Sequence, residues 1–182
     1  VTPARKGLVV SGADGRIAAV GPAVPPPELG LGTEPLKRIS VFLSIFDVHL
    51  VRAPIGGTIV TSAYRPGAFL NAELDKASEE NERHGLVIAA PDGQKLGLVL
   101  IAGLIARRIV TFRGEGSSVA RGERIGLIRF GSRVDVYLPA GAESLVEIGQ
   151  TAIGGETVLA ELPSGEEAPR LKSAISSSVA EE

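Results

Sequence analysis

Leu86-Val87-Ile88-Ala89-Ala90-Pro91-Asp92-Gly93-Gln94-Lys95-Leu96-Gly97-Leu98-Val99-Leu100-Ile101-Ala102 decides the fold class. Two apolar runs of strand length stand on either side of Pro-Asp-Gly, and each turn residue has its own physical reason to be there. Proline presets φ, aspartate bonds its own backbone, and glycine reaches positive φ. Outward from this hairpin the pattern recurs. Ile105 to Phe112 and Ile39 to Ile45 read as strands, and Phe46 to Arg52 continues the latter with alternation. Gly56-Gly57-Thr58-Ile59-Val60 turns into another strand. Leu8-Val9-Val10 and Ile17 to Val20, joined through Ala13-Asp14-Gly15, predict a second hairpin. Pro22 to Pro35 predicts an irregular loop, and Leu74 to Arg83 a loop or short helix with Ser78 as N-cap.

Composition agrees with a β domain. The chain has 182 residues, enough for one domain, and its 23 Gly and 12 Pro are too many for a helical bundle. Aromatics make up only 4% of residues, so the core is aliphatic. Cys, Met and Trp are absent, which excludes disulfides, thiolate metal sites and a cysteine nucleophile. No apolar run reaches the roughly 18 residues of a membrane-spanning helix.

The net charge of −2 conceals an asymmetry. From Ile105 to Arg133 seven Arg face two Glu, a balance of +5; from Ala140 onward eight Glu face Arg170 and Lys172, a balance of −6. The cationic stretch reads either as a solvated surface or as a patch facing phosphate or acidic lipid headgroups. Arg without interleaved aromatics argues against nucleic acid.

Val119-Ala120-Arg121-Gly122-Glu123-Arg124-Ile125 resembles Ala152-Ile153-Gly154-Gly155-Glu156-Thr157-Val158. The match predicts a shared hairpin geometry of the kind found in barrel-sandwich hybrids, not a repeat protein. The expected fold is therefore mainly β, a barrel-sandwich-hybrid-like single domain with short helical or loop insertions. It spans 1–162, with a polar, charged tail at 163–182.

A chain with no Cys, two His and no cofactor motif needs an electrophile if it is an enzyme. A serine convertible to a ketone supplies one, and Ile128 to Pro139 (IRFGSRVDVYLP) holds the candidate. Val9 to Arg16, Phe42 to Pro54 (FLSIFDVHLVRAP), Ser78 to Arg83, Ile101 to Ile109 (IAGLIARRI) and the longer stretch Gly122 to Pro139 (GERIGLIRFGSRVDVYLP) together resemble the short bacterial form of phosphatidylserine decarboxylase. The resemblance implies a zymogen that cuts itself at Gly131-Ser132 into a β chain, 1–131, and an α chain, 132–182, which stay associated. It implies a covalent pyruvoyl cofactor made from Ser132. It further implies His49 as base and proton donor, and Asp14 as the carboxylate that orients it. Arg52 and Phe46 are expected at the substrate, and no metal is expected. An apolar surface for the diacyl chains is expected around Leu43, Ile45 and Phe46. One departure is Gly12, where the family has Pro, which implies a looser turn behind Asp14. His84 has no counterpart and reads as a surface residue.

The activity so implied is decarboxylation of phosphatidylserine to phosphatidylethanolamine and carbon dioxide. It would take place peripherally on the cytoplasmic face of the cell membrane, as a step of phospholipid biosynthesis. A homodimer is compatible with the resemblance. Two rival readings compete. Ala53 to Ile59 followed by Leu74-Asp75-Lys76-Ala77 mimics a lipoyl-type carrier modified at Lys76, and a non-catalytic lipid-binding barrel would need none of this chemistry.

Overall fold

The computed structural model describes residues 1–44, 47, 49–68, 71–73, 80–103, 109–129 and 131–164. Its main layer is a curled, antiparallel, eight-stranded sheet. With strands numbered in chain order, the spatial sequence begins β13 (Thr151–Ala152), β2 (Gly15–Ala23), β3 (Leu36–Leu43), β11 (Ser132–Tyr137). It continues β7 (Lys95–Ile101), β6 (Arg83–Ala89), β5 (Gly57–Arg65), β9 (Ser118–Val119). Two three-stranded sheets complete the fold. One is β1 (Leu8–Val10), β14 (Val158–Glu161), β12 (Glu143–Ser144); the other is β4 (Leu50–Arg52), β10 (Arg124–Ile128), β8 (Ile109–Thr111). The mainly β domain expected from composition is the one observed.

The Pro91-Asp92-Gly93 hairpin forms as predicted. Gly93 sits at φ +88°, its N–H donates to the Ala90 carbonyl at 2.9 Å, and the Asp92 carboxylate accepts from Gln94 N–H at 3.1 Å. β6 and β7 then pair along their whole length. β7 does not alternate in sequence because both of its faces are covered. Leu96, Leu98 and Leu100 enter the main core, whereas Val99 and Ile101 join Leu29, Val87 and Tyr137 in a second apolar cluster. Part of that second layer comes from the proline-rich segment, where Pro27–Leu29 forms a 3-10 turn.

Two strand expectations are corrected. Leu8–Val10 and Ile17–Val20 do not form a hairpin: β1 pairs with β14, and β2 pairs with β3 and β13. The Asp-Gly sequence makes a corner between sheets, because its two flanking strands find their partners in different sheets. The strand expected from Ile39 through Arg52 is two strands in two sheets. β3 ends at Leu43, and the Asp47 carboxylate accepts from Ser44 N–H at 2.6 Å, turning the chain towards β4.

The internal resemblance is a shared turn and not the expected hairpin: β9 pairs with β5 and β10 with β4 and β8, while β13 pairs with β2 and β14 with β1 and β12. Gly122 and Gly155 lie at φ +79° and +78°, and each turn closes on the following Glu, Glu123 N–H to Ala120 O and Glu156 N–H to Ile153 O. The two turns also receive equivalent partners. Gly122 N–H donates to Ala53 O at 2.8 Å and Gly155 N–H to Ser11 O at 2.7 Å. The segments behind them cross reciprocally, Val10 N–H to Pro54 O and Arg52 N–H to Gly12 O. This crossing brings the Asp14 corner and the strand after His49 together. The tail expected at 163–182 lies beyond the described residues after Ser164.

Candidate active site

Ser132 is the first residue of β11, a strand flanked by β3 and β7 and buried along its length. Alternation along β11 sends Val134 and Val136 into the main core and Tyr137 into the second cluster. Ser132 shares the face of Val134 and is 0% exposed, and its Oγ has no hydrogen-bond partner among the described residues. Buried hydroxyls are normally paired, so an orphan is either a defect or a group kept for chemistry. Gly131 precedes it at φ +71°, with its N–H donating to Leu43 O at 2.9 Å. A Cβ there would meet nothing within 4 Å. Backbone angle, not space, therefore calls for glycine, since an L-residue in this region costs about 1–2 kcal/mol.

His49 lies at the same end of the molecule. Leu43, its upstream neighbour across the Ser44–Asp47 turn, pairs directly with Ser132. The His49 carbonyl accepts from Ile128 N–H at 3.0 Å, three residues before Gly131. Asp14 reaches this region through its corner. A Cβ on Gly12 would stand 3.5 Å from Val134 Cγ1, and one on Gly15 would overlap the Phe42 carbonyl oxygen. Phe42 is the residue before Leu43. The Asp14 Oδ1 accepts from Gly154 N–H at 2.5 Å. Around Gly12 the corner is tied by Gly12 O, which takes Arg52 N–H at 2.8 Å, and by Ser11 Oγ, which donates to Ala13 O at 2.7 Å. Backbone contacts thus link the segments that carry Ser132, His49 and Asp14.

Arg52 is half-buried and gives its NH1 to the Gly122 carbonyl at 2.8 Å, bracing one of the two repeated turns. Phe46, Ile45 and Lys76 lie outside the described residues. Leu43 does not offer a lipid-facing surface: it is 0% exposed within the core. No helix among the described residues is long and apolar enough to cross a membrane.

Against this geometry, the phosphatidylserine decarboxylase family model matches residues 1–160. The chain is also similar to a protein of Cereibacter sphaeroides (strain ATCC 17025 / ATH 2.4.3) named phosphatidylserine decarboxylase proenzyme. The two are 60% identical over 166 residues, 91% of this chain and 72% of that protein. The chain belongs to the phosphatidylserine decarboxylase family. The family is one of decarboxylases, and the matched span contains Asp14, His49, Arg52, Gly131 and Ser132.

Sequence reasoning missed the polar structure on the face of β11 opposite Ser132. Arg133, 2% exposed, forms a two-point ion pair with Asp135, 0% exposed, Nε–Oδ1 at 2.9 Å and NH2–Oδ2 at 3.1 Å. Its NH1 also donates to the Ala72 carbonyl at 3.0 Å. Spacing of two along a strand was the available signal, but only a strand covered on both sides makes it a buried pair. Tyr137 follows on the same face, its hydroxyl pushed up to about 12 by burial and the Asp135 charge. Asn81, 1% exposed, donates to the Ala102 carbonyl at 2.7 Å.

The cationic stretch is not one patch. Arg133 is buried, Arg113 pairs with Glu123, and Arg121 binds the carbonyls of Pro3, Arg5 and Leu8. Arg124 and Arg129 remain exposed without an ion-pair partner among the described residues.

His84 is not a free surface side chain. It is half-buried on β6, with Nε2 2.8 Å from Ser62 Oγ and its ring tilted against Tyr64. Burial lowers its pKa, so the folded chain prefers the neutral ring. Protons bind the unfolded chain first, and stability is expected to fall as pH drops below about 6.5. In urea titrations at pH 7.5 and 5.5, His84→Gln should show a smaller loss on acidification than the parent. An identical loss in both would show that His84 contributes nothing to the dependence.

Proposed function

We propose that this chain cuts its own backbone between Gly131 and Ser132 and then, with a pyruvoyl group at residue 132, converts phosphatidylserine to phosphatidylethanolamine and carbon dioxide. The observation that carries the reading is the fully buried, unpartnered Ser132 hydroxyl directly after a left-handed glycine. Family membership and the similarity to a protein named as a proenzyme support it.

In the cleavage step the Ser132 Oγ bonds to the Gly131 carbonyl carbon, the 131–132 C–N bond breaks, and the hydroxyl proton ends on the freed nitrogen. Elimination then takes the Ser132 α-proton and expels the Gly131 carboxylate. Water adds and ammonia leaves, converting residue 132 to its keto form. His49 serves as base for the hydroxyl, with Asp14 behind it, in the manner of other base-activated serine nucleophiles. Once formed, the pyruvoyl group acts as an electron sink for the departing carboxylate. His49 then supplies the proton that replaces the lost carboxylate. Arg52 and the exposed Arg124 and Arg129 are the cations we assign to the substrate's anionic headgroup. A diacyl substrate puts the reaction at a membrane surface, and we assign the enzyme to the cytoplasmic face as a peripheral protein.

Intact mass spectrometry under denaturing conditions tests the reading. The expected result is two species, 1–131 and 132–182, the smaller one carrying a ketone in place of its amine. A chain that stays whole in every preparation overturns it and leaves a lipid-binding barrel as the better account.

The pieces are expected to remain together without denaturant. β11 is a central strand between β3 and β7, β13 pairs with β2, and β14 with β1, so the smaller piece supplies strands to two sheets. Size-exclusion chromatography of cut protein should give one peak with the uncut elution volume. Separate peaks would contradict this.

A further inference from the structure

Gly103 stands against the carbonyl of the proposed scissile peptide. A Cβ built on Gly103 would overlap the Gly131 carbonyl oxygen and lie 2.7 Å from the carbonyl carbon. Cβ contacts below 3.0 Å are essentially never seen. Gly103 is not in the left-handed region, so its backbone is open to any L-residue. Its demand for glycine is the converse of that at Gly131: space, not angle.

Neither side of this contact can retreat easily. Just before Gly103, Ala102 N–H donates to Glu82 O at 2.9 Å, and Ala102 O accepts the Asn81 amide at 2.7 Å. Ile101 is paired with Arg133 on one side and Arg83 on the other. Beyond Gly103 lies Ala72, whose Cβ would be 3.5 Å away and whose carbonyl is held by Arg133. On the other side, Gly131 N–H is bound to Leu43 O and Ser132 is fixed in β11. A methyl group at 103 must therefore turn the 131–132 peptide itself.

Resting on the self-cleavage reading above, we propose that Gly103 is a contact residue of the cleavage step. Its bare Cα, held by the Asn81–Ala102 bond, seats the Gly131 carbonyl where the Ser132 hydroxyl can attack. After the C–N bond has broken, Gly131 is no longer joined to residue 132. Gly103 therefore acts mainly on maturation.

The test is a time course of cleavage by intact mass for the parent and for Gly103→Ala and Gly103→Ser. Turnover is measured per mole of residue-132 ketone in whatever matures. Thermal melting is compared between Ser132→Ala and Ser132→Ala/Gly103→Ala, which are both uncut. Misplacing reacting atoms by about 1 Å costs on the order of 100-fold. Gly103→Ala is accordingly expected to slow cleavage by about that factor, with a much smaller fall in turnover per ketone and a similar melting temperature. Cleavage at the parental rate overturns the proposal. So does an equal fall in cleavage and turnover, or a collapse of melting temperature in the Ser132→Ala background, since either makes the effect merely structural. A parent chain that never cuts is a different result, and overturns the self-cleavage reading itself.

Discussion

Ser132→Ala is expected to yield a single chain that never splits and releases no carbon dioxide from phosphatidylserine. The change removes one oxygen from a side chain that is fully buried and makes no hydrogen bond among the described residues, so folding has little reason to suffer. Deleting an unpartnered buried hydroxyl relieves a desolvation cost rather than breaking a bond. The variant should be at least as stable as uncut parent while losing all activity, because no ketone can form. Denaturing electrophoresis and release of labelled carbon dioxide read the two outcomes separately. Cleavage that persists in Ser132→Ala would remove residue 132 as nucleophile. His49→Ala should leave the hydroxyl present but slow its cleavage, by roughly the 10²–10⁴-fold that a positioned base contributes. Normal maturation there would exclude His49 from the scheme.

Asp135→Ala is expected to cost about 3–5 kcal/mol, the penalty for leaving a buried charge without its partner. Domains of this kind are stable by only about 5–15 kcal/mol, so the effect approaches unfolding. Arg133 cannot swing into solvent: it is 2% exposed, and its NH1 is committed to the Ala72 carbonyl. Urea unfolding in the Ser132→Ala background keeps the covalent state uniform and provides the measurement. Replacing both partners with apolar residues, Arg133→Met with Asp135→Leu, should recover much of the loss, because no charge then remains to be solvated. A single variant within about 1 kcal/mol of its parent, the scale of an exposed pair, would show that water reaches the guanidinium.

How far the site was readable depends on the kind of interaction. Gly131-Ser132 stood out only through the family pattern around it, since a Gly-Ser pair such as Gly116-Ser117 is ordinarily a turn, and His49 and Asp14 followed from the same pattern. Arg133 and Asp135 sit in the same stretch and were read only as charges. Nothing local distinguishes a buried pair from a solvated one. Asn81 and Gly103 were likewise passed over, since their roles are contacts with backbone atoms 21 and 28 residues away in the chain. His84 looked like a surface residue for the same reason, its Ser62 partner being on the neighbouring strand.

By itself the sequence determined what short-range physics controls. That comprises the β class, the turn at Pro91-Asp92-Gly93 and the twin Gly-Glu turns at 122 and 155, whereas the Gly131-Ser132 pair came from the family resemblance. Turn conformations and apolar run lengths act within a few residues, so they survive in any context. Only the tertiary structure decided which strands pair. It split Leu8–Val10 from the strand after Asp14, placed Ser132 between Leu43 and the end of β7, and pressed Gly103 onto the Gly131 carbonyl. Those outcomes depend on burial and on exclusion between segments far apart in the chain, where a strand's partner is chosen by all the other strands together.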